Sequence, residues 1–83
     1  MSETQLPTAQ ELADQIVAPA LGLPSIGADE DFFDHDATSL HLVQIAATVF
    51  QQYQVEIPLP DLFDEPTAAA LARLLHVELA AAS

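Results

Sequence analysis

Hydrophobic positions recur every three or four residues after Ser39, and this spacing predicts a helix with one buried face. The side chains of that stripe are Leu42, Ile45, Ala46, Val49, Phe50 and Tyr53. A second, narrower apolar line runs beside the stripe and consists of Leu40, Val43 and Ala47. Stripe and line together offer more apolar surface than a small helical domain can cover. The second line is therefore a candidate contact surface.

An earlier helix is indicated by the segment LPTAQELADQIVAPALGL. Thr8 stands three residues before Glu11, which is the spacing of a capping box. Leu12 and Ile16 then share one face of the predicted helix. Pro19 is expected to kink or end this helix, because its ring removes a backbone hydrogen bond.

Two further helical segments lie in the C-terminal third of the chain. Pro58 and Pro60 argue against a regular helix through them, but Leu59, Leu62 and Phe63 fit one short helical turn packed inward. Thr67 is placed to cap the last helix. Its predicted core face consists of Leu71, Leu74, Leu75 and Leu79.

The segment LPSIGADEDFFDHDAT predicts a long loop between the first helix and Ser39, with Phe32 and Phe33 as the side chains that pin it to the core. A loop of this length in a compact domain is often functional. The expected fold is therefore all-α, with three long helices and one short one. We expect a single domain over residues 1–83 with its core at about 8–80.

The net charge of the chain excludes some classes of function. Thirteen acidic residues oppose one strong base, Arg73, for a net charge of −12. A field of this sign repels nucleic acid and anionic membranes and attracts basic partner surfaces. The acids concentrate between Asp29 and Asp36 and between Glu56 and Glu65, where most are interpreted as solvated loop residues. With no signal peptide and no run long enough to span a bilayer, a cytoplasmic protein is expected.

Catalytic and metal-binding constellations find little support. The chain has no cysteine and no glycine-rich phosphate loop, and its three histidines do not have metal-ligand spacing on one helix. Ser39 and His41 are two residues apart, so on a helix they point to different faces and do not form a nucleophile–base pair. We therefore predict no catalytic residue and no metal site.

Ser39 remains as the residue to be explained. A serine at this junction can be a helix cap, but Thr38 caps equally well one residue earlier. Ser39 would then lie in the first turn with its side chain exposed. An attached phosphate would be stabilised there by the helix dipole.

The segment DEDFFDHDATSLHLVQIAATVF resembles the core of the carrier-protein family, the acyl and peptidyl carriers of fatty-acid, polyketide and nonribosomal-peptide assembly. The resemblance extends over about Leu12 to Leu75 and implies an acyl-carrier-like bundle of three long helices plus a short one. It also implies that a phosphopantetheinyl transferase attaches 4'-phosphopantetheine to Ser39. The thiol of this arm would hold an intermediate as a thioester, and the carrier itself would catalyse nothing.

The chain departs from the family pattern directly before the serine. Where the family has Leu-Gly-Gly-Asp/His, this chain has His35, Asp36, Ala37 and Thr38. Losing both glycines removes backbone freedom, although aspartate tolerates turns well. The departure places recognition by a generic transferase in question.

The helix after Ser39 has no acidic residue, whereas fatty-acid carriers tend to have acids there. This favours an aminoacyl or peptidyl carrier over a polyketide-type acyl carrier.

The partners implied are an adenylation or loading enzyme and a condensation enzyme or ketosynthase. We expect a monomer, and the start at Met1 favours a free-standing carrier, although a domain excised from a larger protein would look similar in sequence. The competing hypothesis is a helical interaction module that is never loaded, with Ser39 only a cap. The predicted partner-binding residues are Leu40, His41, Val43, Gln44, Ala47, Asp34 and Asp36.

Overall fold

The architecture is a small helical bundle, seen here in a computed structural model that describes residues 6–82, with side chains through residue 80. Helix α1 spans residues 9–21 in three consecutive segments, Ala9–Leu12, Ala13–Val17 and Ala18–Leu21. Helix α2 is Ser39–Tyr53, the short α3 is Leu59–Asp64, and α4 is Ala68–Ala82. No strand occurs among the described residues. The predicted all-α fold with three long helices and one short one is confirmed.

One hydrophobic core lies between the helices. Its largest fully buried side chains come from all four helices and from the loop before α2. Leu42, Ile45 and Val49 supply the inner face of α2, as the sequence predicted. On α4, Leu71 and Leu75 are buried. Leu74 and Leu79 pack against the core from its edge.

Phe50 does not belong to this core, and its predicted burial is wrong. Phe50 is 49% exposed, whereas Leu42 is 0% exposed. An α-helix turns about 100° per residue, so Phe50 lies about 20° from Val43 around the axis and about 80° from Leu42. The spacing of three and four residues placed Phe50 in the buried stripe. Its angular position around the helix axis instead places it in the exposed line of Leu40, Val43 and Ala47.

Helix α1 continues past Pro19 and ends at Gly22, which has a left-handed conformation with φ of 73°. Of the two outcomes predicted for Pro19, a kink or an end of the helix, the end at Pro19 is wrong, and the kink stays a prediction. The segment just before it, Ala13–Val17, is π-helical, and the N–H of Ala18 donates to the oxygen of Ala13. A π-helical turn opens the backbone locally, and such turns absorb a break in the regular hydrogen-bond pattern.

Helix α3 also accommodates a proline that the sequence argued against. Pro58 is the residue before the first turn, and Pro60 lies within that turn. The first N–H groups of a helix have no partner inside the helix, so a proline costs little there. Leu62 is fully buried as predicted, but Phe63 is 37% exposed, so its predicted inward packing is wrong.

The long loop before α2 is fixed by buried side chains and backbone hydrogen bonds. Phe32 is 0% exposed and its N–H donates to the oxygen of Pro66 at 2.8 Å. Ala28 accepts from the N–H of Ala69 at 2.9 Å. Phe32 is thus the predicted anchor, whereas Phe33 is 42% exposed. These bonds hold the loop against the start of α4.

Candidate functional site

A tight turn delivers the chain from the loop into α2. The segment Phe32–His35 forms one 3-10 helical turn, and Asp36 closes it with φ of 65° and ψ of 24°. In this left-handed conformation the N–H of Asp36 donates to Phe33 at 3.2 Å, and the N–H of Ala37 donates to Phe32 at 3.3 Å. The Ala37 side chain is buried directly after the turn. Ser39 therefore follows an anchored segment.

Thr38 occupies the N-cap position of α2, and His41 takes part in capping. The backbone N–H of Thr38 donates to Nδ1 of His41 at 2.9 Å, and Thr38 Oγ1 lies 3.1 Å from the same nitrogen. A backbone N–H can only donate, so Nδ1 is the acceptor and the ring proton is on Nε2. The sequence suggested Thr38 as the cap, but it did not reveal the part played by His41.

Ser39 is the first residue of α2 and is exposed to solvent. Its hydroxyl makes no side-chain hydrogen bond to any residue in the part of the chain that the structure describes. The fifteen residues of α2 include no Asp, Glu, Lys or Arg. The hydroxyl is therefore free to react at the positive end of a long helix with no nearby helical charge.

In the loop that precedes the turn, the carboxylate of Glu30 accepts hydrogen bonds from two donors. Glu30 Oε1 lies 2.5 Å from Nε2 of His35, and Oε2 accepts from the N–H of Gly27 at 3.2 Å. The hydrogen bond from His35 is the larger cause, and the one from the Gly27 N–H is the smaller. Together they lower the pKa of Glu30 below its usual 4.5. A Cβ at Gly27 would come within 2.8 Å of the Glu30 carboxylate, so glycine permits this contact. The pair braces the loop that ends at Asp36.

An exposed apolar face extends from Ser39 along α2. Leu40 is 63% and Val43 44% exposed, and Ala47 and Phe50 continue the same line. A groove of about 290 Å³ opens beside this line. Its lining residues are Val43, Ala46, Ala47, Phe50, Glu56, Ile57 and Leu59. The contact line predicted from sequence is therefore exposed, and Phe50 lengthens it.

The polar residues predicted to meet partners lie around the start of this line. Asp34 and Asp36 are exposed in the turn before α2. On α2 itself, His41 is half-buried and Gln44 is exposed. Within residues 6–82, no group of three or more His, Asp or Glu side chains is arranged to hold a metal ion. None of the helices described has the length and hydrophobicity needed to cross a membrane.

Comparison with known proteins assigns this arrangement to a family. Residues 11–75 match the family described as phosphopantetheine attachment site. The chain belongs to the phosphopantetheine-attachment family. Over 62 residues, or 75% of the chain, it is 36% identical to tyrocidine synthase 3 of Brevibacillus parabrevis. It spans only 1% of the length of that synthase.

Solved structures show the same fold. One match is to a chain from the structure of the phosphopantetheine transferase Sfp in complex with coenzyme A and a peptidyl carrier protein. The TM-score is 0.77 at 34% identity, covering 92% of this chain and 95% of that one. A second is the solution structure of a peptidyl carrier protein described as a prototype for the carrier domains of modular peptide synthetases. It matches with a TM-score of 0.72 at 34% identity, covering 92% of this chain and 97% of that one.

The chain is thus a carrier domain similar to peptidyl carrier proteins, and its cofactor is 4'-phosphopantetheine. Its residues fit that group, because the Ser39 hydroxyl is exposed and unpaired among the described residues. The first turn adds no carboxylate to repel a phosphodiester.

The departure from the family motif has a structural explanation in this carrier domain. Asp36 takes the place of the first glycine and adopts the left-handed conformation that glycine favours. Aspartate is one of the few other residues that visit this region readily. Ala37 replaces the second glycine and buries its methyl group in the core. The approach to Ser39 is therefore kept without glycine.

Proposed function

We propose that Ser39 is the attachment residue for 4'-phosphopantetheine. A phosphopantetheinyl transferase would use coenzyme A as donor. The Ser39 oxygen would form a new bond to the phosphorus next to pantetheine, and the diphosphate bond of coenzyme A would break. The nucleotide moiety, adenosine 3',5'-bisphosphate, would leave, and a base on the transferase would take the hydroxyl proton.

The observation that carries this proposal is the position of the Ser39 hydroxyl. It lies on the first residue of a fifteen-residue helix, exposed, while Thr38 takes the capping position. The competing hypothesis required Ser39 to be the cap, and Thr38 has that place. The attached group supplies a terminal thiol on a long arm, which this cysteine-free chain lacks.

Mass measurement after co-expression with a transferase of broad specificity tests the attachment. Wild type should gain the mass of one phosphopantetheine, and Ser39→Ala should gain none. Ser25→Ala is the matched control, because Ser25 is also exposed but lies in a loop and begins no helix. A wild-type chain that stays unmodified with several transferases contradicts the proposal, as does a Ser39→Ala chain that is modified.

The cargo we propose is an aminoacyl or peptidyl group held as a thioester on the arm. The domain, residues 1–83, would present this cargo to an adenylation or loading enzyme and then to a condensation enzyme or ketosynthase, without catalysing any step itself. The absence of acids from α2 and the likeness to peptidyl carriers support this assignment. Loading the modified domain with an amino acid by an adenylation enzyme tests it. Loading only with short acyl groups by an acyltransferase would contradict it. The cytoplasmic location and the monomeric state of the domain stay predictions.

The partner surface we propose is the start of α2 together with the acidic turn before it. Exposed Leu40, Val43 and Ala47 would be buried against a partner, with polar contacts from His41 and Gln44. Asp34 and Asp36 would steer basic partner surfaces towards Ser39 from the loop. The absence of charge from α2 makes apolar burial the main source of affinity.

Val43→Asp tests this surface, with Gln52→Asp as the matched control. Both positions are exposed on α2, and nine residues place them about 180° apart around the axis. Val43→Asp should keep the helical circular dichroism spectrum and lower transfer to a partner about tenfold or more, because it introduces an unpaired charge in a desolvated contact. Gln52→Asp adds the same charge and should transfer normally. Equal transfer by both variants would remove this face from the interface.

A further inference from the structure

The capping arrangement at the start of α2 differs from that of α1. In α1, Thr8 Oγ1 accepts from the N–H of Glu11 at 3.0 Å, and the Glu11 carboxylate accepts from the N–H of Thr8 at 2.9 Å. In α2 the corresponding residue three positions after the cap is His41, whose Nδ1 accepts from the Thr38 N–H at 2.9 Å. A neutral imidazole therefore takes the place that a carboxylate has in α1.

We infer that His41 is a positioning residue for the modification of Ser39, an inference that rests on the function proposed for Ser39. The two capping residues, Thr38 and His41, enclose Ser39 and Leu40 in the first turn. Closing this turn fixes the backbone from which the Ser39 hydroxyl projects. Without the acceptor at Nδ1, the Thr38 N–H loses its partner and the first turn frays more readily.

The neutral acceptor also has an electrostatic consequence. Glutamate or glutamine is the usual residue at this position of a capping box, and glutamate gains further from the helix dipole. In a chain with thirteen acids, α2 nevertheless has none. A carboxylate in the first turn would repel the phosphodiester formed on Ser39, whereas neutral Nδ1 accepts the hydrogen bond without that repulsion. His41 thus keeps the turn closed and leaves the positive helix end to the phosphate.

Four substitutions at His41 distinguish the effect of a hydrogen-bond acceptor from the effect of a charge. Gln provides a neutral acceptor, and Glu provides a charged one. Ala has no side-chain polar group, and Lys has donors only. The catalytic efficiency of a transferase on each variant is measured together with its melting temperature. The amide exchange rate of Thr38 and the ring-nitrogen NMR shifts of His41 in the unmodified wild type are recorded as well.

The expected order for modification differs from that for stability. His41→Gln should stay within about twofold of wild type, while Ala and Lys should be modified about fivefold more slowly, the equivalent of about 1 kcal/mol. His41→Glu should melt at or above the wild-type temperature but be modified about threefold more slowly. Thr38 amide exchange should accelerate in the Ala and Lys variants, and the wild-type ring should carry its proton on Nε2.

Several outcomes would overturn the inference. If Ala and Lys are modified at the wild-type rate, or if Gln is as slow as Ala, the acceptor at Nδ1 does not position Ser39. If Glu is modified as fast as Gln, the neutrality of the cap has no role. All of these comparisons require a modified wild type. A wild type that gains no mass would instead remove the function proposed for Ser39, so the two failures are distinguishable.

Discussion

Asp36 is the residue on which the approach to Ser39 depends, because it holds a left-handed backbone with φ of 65°. Most side chains lose about 1–2 kcal/mol in that region, and glycine loses none. Asp36→Gly should therefore leave the free energy of unfolding unchanged or raise it by up to about 1 kcal/mol. Asp36→Val should lower it by about 1–3 kcal/mol, since a β-branched residue fits this region poorly. Urea unfolding measures both.

Asp34 provides the control for these two variants. It is exposed in the same turn, bears the same charge and lies in the 3-10 segment, where φ is negative. Asp34→Gly should destabilise the domain slightly through the added freedom of the unfolded chain. If glycine has the same effect at both positions, the left-handed conformation of Asp36 does not limit stability.

The Glu30–His35 pair predicts a pH dependence of stability. The hydrogen bonds from His35 and from the Gly27 N–H lower the pKa of Glu30 below 4.5. A carboxylate whose pKa is lower in the folded than in the unfolded state stabilises the fold above the unfolded pKa. That stabilisation disappears as the pH falls through the folded pKa. Wild type should melt above Glu30→Gln near neutral pH, and the two melting temperatures should converge at acidic pH.

Glu78→Gln is the control for this titration. Glu78 is exposed on α4, and its carboxylate makes no hydrogen bond within the described residues. Its removal should not reproduce the convergence seen for Glu30→Gln. A constant melting difference between wild type and Glu30→Gln at every pH would show that the ionised carboxylate is not the stabilising species.

At the scale of the helix, α2 has two apolar surfaces, one buried and one exposed. Leu42 is fully buried, and Leu42→Ala should lower the free energy of unfolding by about 2–5 kcal/mol. Phe50 is half exposed beside the groove, so Phe50→Ala should cost less than about 1.5 kcal/mol and leave the helix content unchanged. Chemical denaturation of both variants measures the contrast. Equal losses would return Phe50 to the core.

The helices could be predicted from periodicity and caps, but some of their details could not. Thr8 and Thr67 are followed by the helices they cap, and Leu42, Ile45 and Val49 are buried as the spacing indicated. Spacing alone cannot separate Phe50 from a stripe only about 80° away. The π-helical segment before Pro19 is not indicated by the spacing of apolar residues.

The candidate site also contains residues that could be predicted from the sequence and residues that could not. Ser39 was predicted from its place before an amphipathic helix and from the resemblance to carriers, and it does begin α2. The capping part played by His41 was not predicted, because histidine is an uncommon residue at that position of a capping box. The spacing from Thr38 was nevertheless visible in the sequence. The Glu30–His35 contact depends on how the loop folds back and leaves no spacing signal.

At the scale of the whole molecule, the net charge of −12 opposes the compact fold. The two acidic segments meet where the N–H of Phe32 bonds to Pro66, next to Asp31 and Glu65. The ion pairs among the described residues are Arg73 with Glu65, at 2.8 Å, and His35 with Glu30. Most of the acids therefore have no cationic partner within that part of the chain. Their mutual repulsion is an electrostatic contribution that salt can screen.

Added salt should therefore raise the melting temperature. Screening shortens the reach of surface charges from about 30 Å at 0.01 M to about 8 Å at 0.15 M ionic strength. Asp64→Asn removes one exposed acid from the crowded segment and should melt above wild type at low salt. The gap between the two should narrow as salt is added, because screening and neutralisation relieve the same repulsion. Thermal unfolding monitored by circular dichroism at several ionic strengths tests both effects. A melting temperature that is flat or falls with salt would mean that the acids do not repel one another strongly in the folded domain. In that case the charge matters for meeting basic partners and not for the stability of the carrier itself.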